Sequence, residues 1–204
     1  WVLLVSINPG APNGGSATQY FIGDFDGKSF KTNQKETKWV DYGTDNYAGV
    51  TYNDAPNGER VFLGWMSNWN YARNTPTTNW RSAMTLARTL SLSTIKGDYV
   101  LQSKPVEQFR KQLTTDFSKK QIEIKKGTKK TFVYSKLNQS QIQFKAKNKN
   151  LKLIFSNDVK DSLVLNYDAK KQTFVIDRRH SGKVNFEKSF GEKTHSTPTP
   201  NLIS

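Results

Sequence analysis

Aromatic residues stand beside short polar residues at the ends of apolar runs in the first half of the chain. Asp45 and Tyr47 lie at the start of one such run, and Trp65 and Asn68 lie at the end of another. A flat indole ring covers the C–H face of a sugar, while Asp and Asn side chains hydrogen-bond its hydroxyl groups. This combination is typical of a carbohydrate-binding surface. The competing interpretation, which composition alone favours, is that the tryptophans pack a β core.

Composition excludes or disfavours several other kinds of site. The 204 residues include no Cys, which excludes disulfides, thiol catalysis and cysteine-ligated metals. Two histidines, His180 and His195, make a His-rich metal site very improbable. The sequence contains neither a G-x-G-x-x-G motif nor a P-loop. We therefore expect no cofactor and no metal site.

The formal net charge of +14 is distributed unevenly. Residues 1–100 hold nine Lys and Arg against eight Asp and Glu, a balance of +1, so residues 101–204 carry +13. All five Trp and both Met also lie in the first half. Two compositions in one chain predict two modules.

The apolar patterns of the first half predict strands separated by short turns. Strands are expected at residues 1–7, 19–25, 30–31, 47–52 and 60–66. Turns are expected at residues 8–16, 26–27 and 53–58. Residues 82–92 contain helix-favouring Ala, Met and Leu, but their apolar side chains alternate with period two, which favours a strand.

One short helix is predicted after Pro105, because Val106, Phe109 and Leu113 recur at helical spacing. Alternating strands are then expected at residues 121–125, 131–134, 142–144, 151–155, 162–167 and 173–176. Strands repeating every ~8–12 residues between polar turns are typical of an antiparallel sandwich.

The apolar run at residues 1–7 is too short to span a bilayer and lacks the features of a signal peptide. No membrane span is therefore expected. The chain opens inside a strand-like run without Met and stops without a helix or tail, so we expect a fragment.

Several stretches of the chain occur in the order found in a known family. They are residues 1–6 (WVLLVS), 13–27 (NGGSATQYFIGDFDG), 41–48 (DYGTDNYA), 64–69 (GWMSNW), 80–88 (WRSAMTLAR) and 177–182 (DRRHSG), with a linker-like Leu101, Gln102, Pro105 and Val106. Together they resemble glycoside hydrolase family 32, which contains invertases, levanases, inulinases and fructan β-fructosidases. The resemblance is greatest to its bacterial levanase-like and fructosidase-like branch.

This resemblance implies an all-β fold: the C-terminal part of a five-bladed β-propeller, followed by a β-sandwich. Residues 1–100 then form the last blades, residues 101–113 a linker with the short helix, and residues 114–204 a sandwich truncated at its C-terminus. The implied chemistry is retaining hydrolysis of a β-fructosyl bond in β-fructan or sucrose. Such a reaction uses two carboxyl groups about 5–5.5 Å apart.

The family's catalytic motifs are absent from the chain. Its nucleophile lies in W-M-N-D-P-N-G, its transition-state-stabilising Asp in R-D-P and its acid/base in E-C-P, whereas this chain has no R-D-P and no Cys. Residues 53–58 (NDAPNG) resemble the first motif only superficially and are interpreted as a turn. We predict no catalytic residue here, the upstream part of the same propeller as a partner, and no activity of the chain alone.

Substrate contacts are implied at four residues. Trp65 matches a tryptophan that lines the family's fructose pocket, and Asp45 and Tyr47 match a motif near the pocket rim. Asn68 is a weaker candidate. A capping Asp and a packed Tyr remain equally good interpretations of Asp45 and Tyr47.

Two further motifs are interpreted as structural. The guanidinium of Arg81 is expected against the ring of Trp80. Asp177 and Arg178 are expected to form a turn ion pair or to bridge to another part of the fold.

Two other functions stay open. The aromatics without catalytic carboxylates also suit a non-catalytic carbohydrate-binding module. The basic half suits a polyanion, or weak association of a secreted or cell-surface bacterial enzyme with an anionic cell wall. It contains no helix-turn-helix and no RNA-binding aromatic motif, so no nucleic-acid partner is expected, and solvated lysines on a sheet explain most of the charge.

Overall fold

The structure, a computed structural model, describes residues 1–146 and 150–199. The described residues divide into two compact units. One consists of residues 1–106 together with 150–199, and the other of residues 107–146. The named strands of the described chain all belong to the first unit, and each pairs antiparallel with its neighbour.

Residues 1–106 form three of the sheets. The first contains β1 (Val2–Ile7), β2 (Ala17–Ile22) and β5 (Lys38–Trp39), in the order β1-β2-β5. The second is a two-stranded hairpin of β3 (Asp24–Phe25) and β4 (Phe30–Lys31). The third follows chain order and contains β6 (Tyr47–Thr51), β7 (Arg60–Trp65), β8 (Arg88–Ile95) and β9 (Asp98–Pro105).

A fourth sheet is formed by residues 150–199, again in chain order. It contains β10 (Leu151–Ser156), β11 (Ser162–Asp168), β12 (Thr173–His180) and β13 (His195–Pro198). A short helix, α2 (Lys188–Gly191), lies between β12 and β13. β10, β11 and β12 are neighbours because short polar turns join them, as at Asp168, whose Oδ1 accepts hydrogen bonds from the backbone N–H groups of Lys170 and Lys171.

The third sheet packs around Phe62, which is fully buried on β7. Its ring lies against β6 at Gly49, where a Cβ atom would come within 2.1 Å of the Phe62 ring. Glycine is therefore required there by the close approach of the ring. Burying a phenylalanine contributes roughly 1.5–3 kcal/mol relative to leaving it exposed.

The second unit contains little regular structure. It comprises α1 (Glu107–Lys111), a 3₁₀ turn at Leu137–Gln139 and otherwise irregular backbone. α1 confirms the predicted short helix, with Glu107 in its first turn and Arg110 and Lys111 in its last, the charges that suit the helix dipole. Neither this helix nor any other in the described residues is long and apolar enough to cross a membrane.

Most predicted strands of the first unit are confirmed. The run at residues 19–25 is divided into β2 and β3 at Gly23, and the run at residues 82–92 becomes regular only at Arg88. Met84 forms an isolated bridge with Trp65. The turn at residues 53–58 is also confirmed, with a 3₁₀ turn at Pro56–Gly58 and an exposed Asp54.

Three predicted strands are wrong. Residues 121–125, 131–134 and 142–144 are not strands in the structure. Their apolar residues alternate in sequence, yet Ile122, Ile124, Phe132, Val133, Ile142 and Phe144 are all at least 46% exposed. A strand is stable when a neighbouring strand satisfies its backbone groups and covers one of its faces. Within residues 107–146 none of these segments has such a neighbour.

Candidate functional site

Three aromatic rings meet at the end of the β6–β7 pair, and we call them the aromatic cluster: Tyr47, Trp65 and Trp69. Tyr47 and Trp65 are register partners, and their ring centroids lie 6.2 Å apart. The rings of Trp65 and Trp69 are 5.0 Å apart and inclined by 51°. Tyr47 and Trp65 are half-buried, whereas Trp69 is 46% exposed. The cluster therefore presents part of its aromatic surface to solvent.

The loop that carries Trp69 is held by the buried side chain of Asn68. The amide nitrogen of Asn68 donates to the carbonyl oxygens of Thr44, at 2.9 Å, and Gly14, at 3.1 Å. Its amide oxygen accepts a hydrogen bond from the backbone N–H of Asn70 at 3.0 Å. Asn68 is fully buried, so the structure assigns its polar atoms to backbone partners inside the protein.

Gly15 makes this arrangement possible. Its φ is +71°, a left-handed conformation that favours glycine, and a Cβ atom there would lie 2.0 Å from Oδ1 of Asn68. Beside it, the hydroxyl of Ser16 accepts a hydrogen bond from the backbone N–H of Trp69 at 3.1 Å. The glycine-rich segment before β2 is thus part of the support of the aromatic cluster.

The polar loop before β6 is fixed at both ends by ion pairs. At its start, Asp41 accepts a hydrogen bond from Arg88 at 2.7 Å and another from the backbone N–H of Gly43 at 2.7 Å. Near its end, Asp45 accepts a hydrogen bond from Arg178, on β12, at 2.7 Å. Both carboxylates therefore have a guanidinium partner within the first unit.

Asp45 also interacts with Tyr71. The Tyr71 hydroxyl donates to Oδ1 of Asp45 at 2.5 Å and lies 3.1 Å from Nη2 of Arg178. Burial and the neighbouring carboxylate raise the pKa of Tyr71 well above its usual value. The Tyr71 hydroxyl is therefore a hydrogen-bond donor throughout the physiological pH range.

His195 lies on β13 and is only 6% exposed. Burial lowers its pKa, and the positive charge of Arg178 adds to that effect. Among the described residues, no group of three or more His, Cys, Asp or Glu side chains is placed to hold a metal ion.

The two arginines after Asp177 have different partners. Asp177 pairs with Arg179 at 2.8 Å, and this interaction lowers the pKa of the Asp177 carboxyl to about 2. Arg178 instead reaches Asp45, 133 residues away in sequence. The bridge expected at Arg178 is thus confirmed, whereas the alternative, a turn ion pair between Asp177 and Arg178, is wrong, because Arg179 is the partner of Asp177.

The predicted contact of Arg81 with the ring of Trp80 is wrong. Arg81 donates to the carbonyl oxygen of Thr75 at 2.6 Å, and Trp80 is 63% exposed. Among the described residues, the guanidinium that lies over an indole is that of Arg73, 5.8 Å from the ring centroid of Trp69. The short spacing of Arg81 from Thr75 lets the backbone carbonyl compete for the guanidinium.

The four residues predicted to contact substrate occupy different environments. Tyr47 and Trp65 are brought together, whereas the side chains of Asp45 and Asn68 are engaged by other parts of the protein. Their contact with a substrate stays a prediction. Sequence reasoning did not assign Trp69 or Tyr71 to the site. For Trp69 a signal was available, since it follows Trp65 by four residues in the same stretch, GWMSNW.

Family models match the whole length of the described chain. The model of the glycosyl hydrolases family 32 N-terminal domain matches residues 1–105, and that of the family 32 C-terminal region matches residues 102–201.

Relatives of known name agree with these models. An extracellular exo-inulinase of Aspergillus awamori is 34% identical over 215 residues, covering 98% of this chain and 40% of that protein. A levanase of Bacillus subtilis (strain 168) is 46% identical over 112 residues, covering 53% of this chain and 16% of that protein.

Solved structures show the same fold. The crystal structure of exo-inulinase from Aspergillus awamori superposes with a TM-score of 0.78 at 30% identity, covering 98% of this chain and 41% of that one. The β-fructofuranosidase of Schwanniomyces occidentalis complexed with fructosyl-erythritol gives a TM-score of 0.73 at 29% identity, covering 100% of this chain and 43% of that one.

The chain spans about two fifths of the length of the exo-inulinase it matches. The predicted all-β fold, a propeller portion followed by a sandwich, is confirmed by these structures. Because the two family models meet at residues 102–105 and together extend from residue 1 to residue 201, the chain belongs to glycosyl hydrolase family 32.

Proposed function

We propose that the protein containing this chain is a retaining β-fructosidase that releases fructose from β-fructans or sucrose. In this proposal the chain supplies an aromatic surface against which a fructosyl ring packs, and the catalytic carboxyl groups come from the upstream part of the propeller. Membership of family 32 and relatives named exo-inulinase and levanase support the reaction class.

The observation that carries the proposal for this chain is the position of Trp65. Its ring is half-buried between Tyr47 and Trp69, so neighbouring rings fix its orientation while part of its surface stays open. A sugar presents C–H groups on one face, and these pack against an indole held in place beforehand. Tyr47 and Trp65 are the side chains that we assign to substrate contact.

Asp45 and Asn68 act indirectly in this proposal. Asp45 is paired with Arg178 and Tyr71, and Asn68 with the backbone of two loops. Contact with a hydroxyl group of the sugar would require either side chain to leave these partners. We therefore assign them to the support of the aromatic cluster.

The proposal keeps the module boundary at residues 101–113, which contain α1. It also places the whole protein outside the cell, since two relatives are named as extracellular exo-inulinases. A bacterial source and attraction to an anionic cell wall remain part of the same proposal.

Replacing Trp65 in a protein that also contains the upstream propeller tests the site. We expect Trp65→Ala to lower kcat/KM on sucrose and inulin by at least about tenfold, equivalent to about 1.4 kcal/mol. Trp80→Ala is the matched control, because Trp80 is exposed and lies outside the aromatic cluster. Equal kcat/KM values for Trp65→Ala and wild type would remove Trp65 from the substrate site.

The purified 204-residue chain tests where the catalytic groups lie. We expect no release of fructose from levan, inulin or sucrose, since the chain lacks the R-D-P and E-C-P motifs. Turnover by this chain would contradict the assignment of the carboxyl groups to the upstream part.

A carbohydrate-binding module is the second candidate, favoured by the open face of Trp69 in a chain without catalytic motifs. Binding of levan or inulin by the chain alone, lost in Trp65→Ala, would support it. Binding that needs the upstream propeller supports the enzyme instead.

A third candidate is polyanion binding, favoured by residues 107–146, which carry ten Lys and Arg against three Asp and Glu, all of them exposed. Retention on heparin that persists at physiological salt would support it, and elution below that salt would count against it.

A further inference from the structure

The side chain of Arg178 contacts four other residues. Nη1 donates to Asp45, Nη2 lies 3.1 Å from the Tyr71 hydroxyl and 3.3 Å from that of Thr44, and Nε donates to the carbonyl oxygen of Phe190 at 3.1 Å. The guanidinium also lies 3.7 Å from the centroid of the Phe190 ring. Its side chain is 13% exposed. All three guanidinium nitrogens are thus used.

Three of the partners of Arg178 belong to the two loops beside the aromatic cluster, and the fourth, Phe190, lies on α2. Thr44 and Asp45 precede Tyr47 on the loop before β6, and Tyr71 follows Trp69 on the loop after β7. These loops are also joined directly, since the carbonyl oxygen of Thr44 accepts the amide of Asn68. The guanidinium of Arg178, which lies on β12, therefore contacts both loops at once.

We infer that Arg178 is a positioning residue for the aromatic cluster, so that a strand of the C-terminal sheet sets the geometry of the proposed sugar-contacting surface. The sugar-contacting part rests on the proposed function. The positioning part rests on the contacts alone. Arg178 itself touches no ring of the aromatic cluster in this arrangement and acts through Thr44, Asp45 and Tyr71.

Arginine is suited to this position and lysine is not. A guanidinium presents several N–H donors in one plane and stacks on an aromatic ring, so it can serve a carboxylate, two hydroxyls and the Phe190 ring together. An ammonium group is a compact charge that would keep only part of this set. The chain offers a close comparison in Arg179, the next residue, which pairs with Asp177 in its own turn.

Near-ultraviolet circular dichroism of the protein that includes the upstream propeller, recorded without any sugar, tests the positioning. The indoles of Trp65 and Trp69 are close enough to couple, so their signal depends on their mutual orientation. At a temperature well below unfolding, we expect R178Q to lose most of this signal and R178K to lose part of it. R179Q is expected to match the wild-type spectrum. W69F identifies the contribution of the coupled pair.

Steady-state kinetics of the protein that includes the upstream propeller gives the second readout. We expect R178Q to raise KM for sucrose by about tenfold with a smaller change in kcat. The reason is that the displaced aromatic surface contacts the sugar equally in the ground state and in the transition state. R178K should fall between R178Q and wild type, and R179Q should match wild type. If Arg178 only stabilised the fold, R178Q would leave KM unchanged at a temperature well below unfolding.

The outcomes separate the two proposals. Identical near-ultraviolet spectra for R178Q, R179Q and wild type would overturn the positioning role. A wild-type extended protein that releases no fructose would contradict the proposed function, while the spectra would still decide the role of Arg178. If R178Q does not fold, the near-ultraviolet spectrum of R178K is compared with those of R179Q and wild type instead. An R178K spectrum equal to that of wild type then overturns the inference.

Discussion

The two compact units contain similar apolar residues but place them differently. In the unit of residues 1–106 and 150–199, paired strands bury Phe62, Tyr20 and Leu90, and polar groups such as Asn68 are enclosed with their partners. In the unit of residues 107–146, rings such as Phe117 and Phe132 contact one another yet stay about half exposed.

The difference lies in what surrounds each apolar side chain. In the first unit, neighbouring strands and buried hydrogen bonds surround the apolar side chains. In residues 107–146, solvent surrounds them, and the segment carries a net positive charge. The stabilisation that a hydrophobic side chain contributes rises with the apolar area that it removes from water. Equivalent substitutions in the two units should therefore have very different consequences.

The largest contrast is expected between two phenylalanines. Phe62→Ala should lower the free energy of unfolding by about 3–5 kcal/mol, because it leaves a cavity in the third sheet. Phe132→Ala removes a ring that is 46% exposed and should change the free energy of unfolding by less than about 0.5 kcal/mol. Urea unfolding followed by tryptophan fluorescence measures Phe62→Ala, since all five Trp lie in the first unit, and the fluorescence of Tyr134 in a variant without tryptophan follows Phe132→Ala. Similar losses would show that Phe132 is part of a core.

Two glycines with positive φ give the next contrast. Gly15→Ala should cost about 2–4 kcal/mol, since the new methyl meets Asn68 in a left-handed backbone conformation. Gly127→Ala, with φ of +80° and nothing within 4 Å of the added Cβ, should cost only about 1 kcal/mol. Thermal unfolding of the two variants tests the prediction, which fails if Gly127→Ala is the more destabilised.

A smaller contrast is expected between two tyrosine–aspartate hydrogen bonds. Tyr71→Phe removes a buried donor to Asp45 and should lower the free energy of unfolding by about 1–3 kcal/mol. Tyr134→Phe removes the hydrogen bond to Asp116 in residues 107–146, which is exposed to solvent, and should cause no measurable change. Denaturant unfolding of both variants at neutral pH compares them directly.

The smallest expected effect is a pH dependence from His195. Burial lowers the pKa of His195 in the folded chain below its unfolded value of about 6.5, so the unfolded chain binds more protons between the two values. Its contribution to stability is complete above about pH 6.5 and is lost as the pH falls through the lowered folded pKa.

Urea unfolding between about pH 7.5 and pH 5 measures this loss. His195→Gln should reduce the slope of stability against pH, and exposed His180→Gln serves as the comparison. A slope unchanged by His195→Gln would show that other groups cause the pH dependence.

Sequence patterns predicted elements whose pairing is local. β1 and β2, β6 and β7, and β10 to β12 lie beside their chain neighbours, so alternation and turn residues are enough to locate them. Residues 121–125 have the same alternation and form no strand, because pairing depends on residues elsewhere that a local pattern does not describe. Gly23 divides a predicted strand for a similar reason: the carbonyl oxygen of Lys31 lies against it.

The candidate site was predictable to a similar extent. Tyr47 begins one apolar run and Trp65 ends the next, and the antiparallel pairing of these runs brings the two residues together. The inward position of Asn68 depends on carbonyl oxygens of two other loops, which a local pattern does not describe. Arg178 and Arg179 are of the same residue type, yet one bridges to Asp45 and the other pairs with Asp177 in its own turn. Sequence alone indicated that a bridge at Arg178 was possible without identifying Asp45 as its partner.

The pairing of Asp45 with Arg178 also bears on the order of events during synthesis. The two residues are 133 positions apart, so at ~5–20 residues per second Asp45 is made roughly 7–27 s before its cation. The other side chains that contact its carboxylate in the structure are made earlier than Arg178: Thr44 just before Asp45, and Tyr71 26 residues after it. We therefore expect the loops around the aromatic cluster to reach their final arrangement late, after β12 has been synthesised and has closed a long stretch of chain.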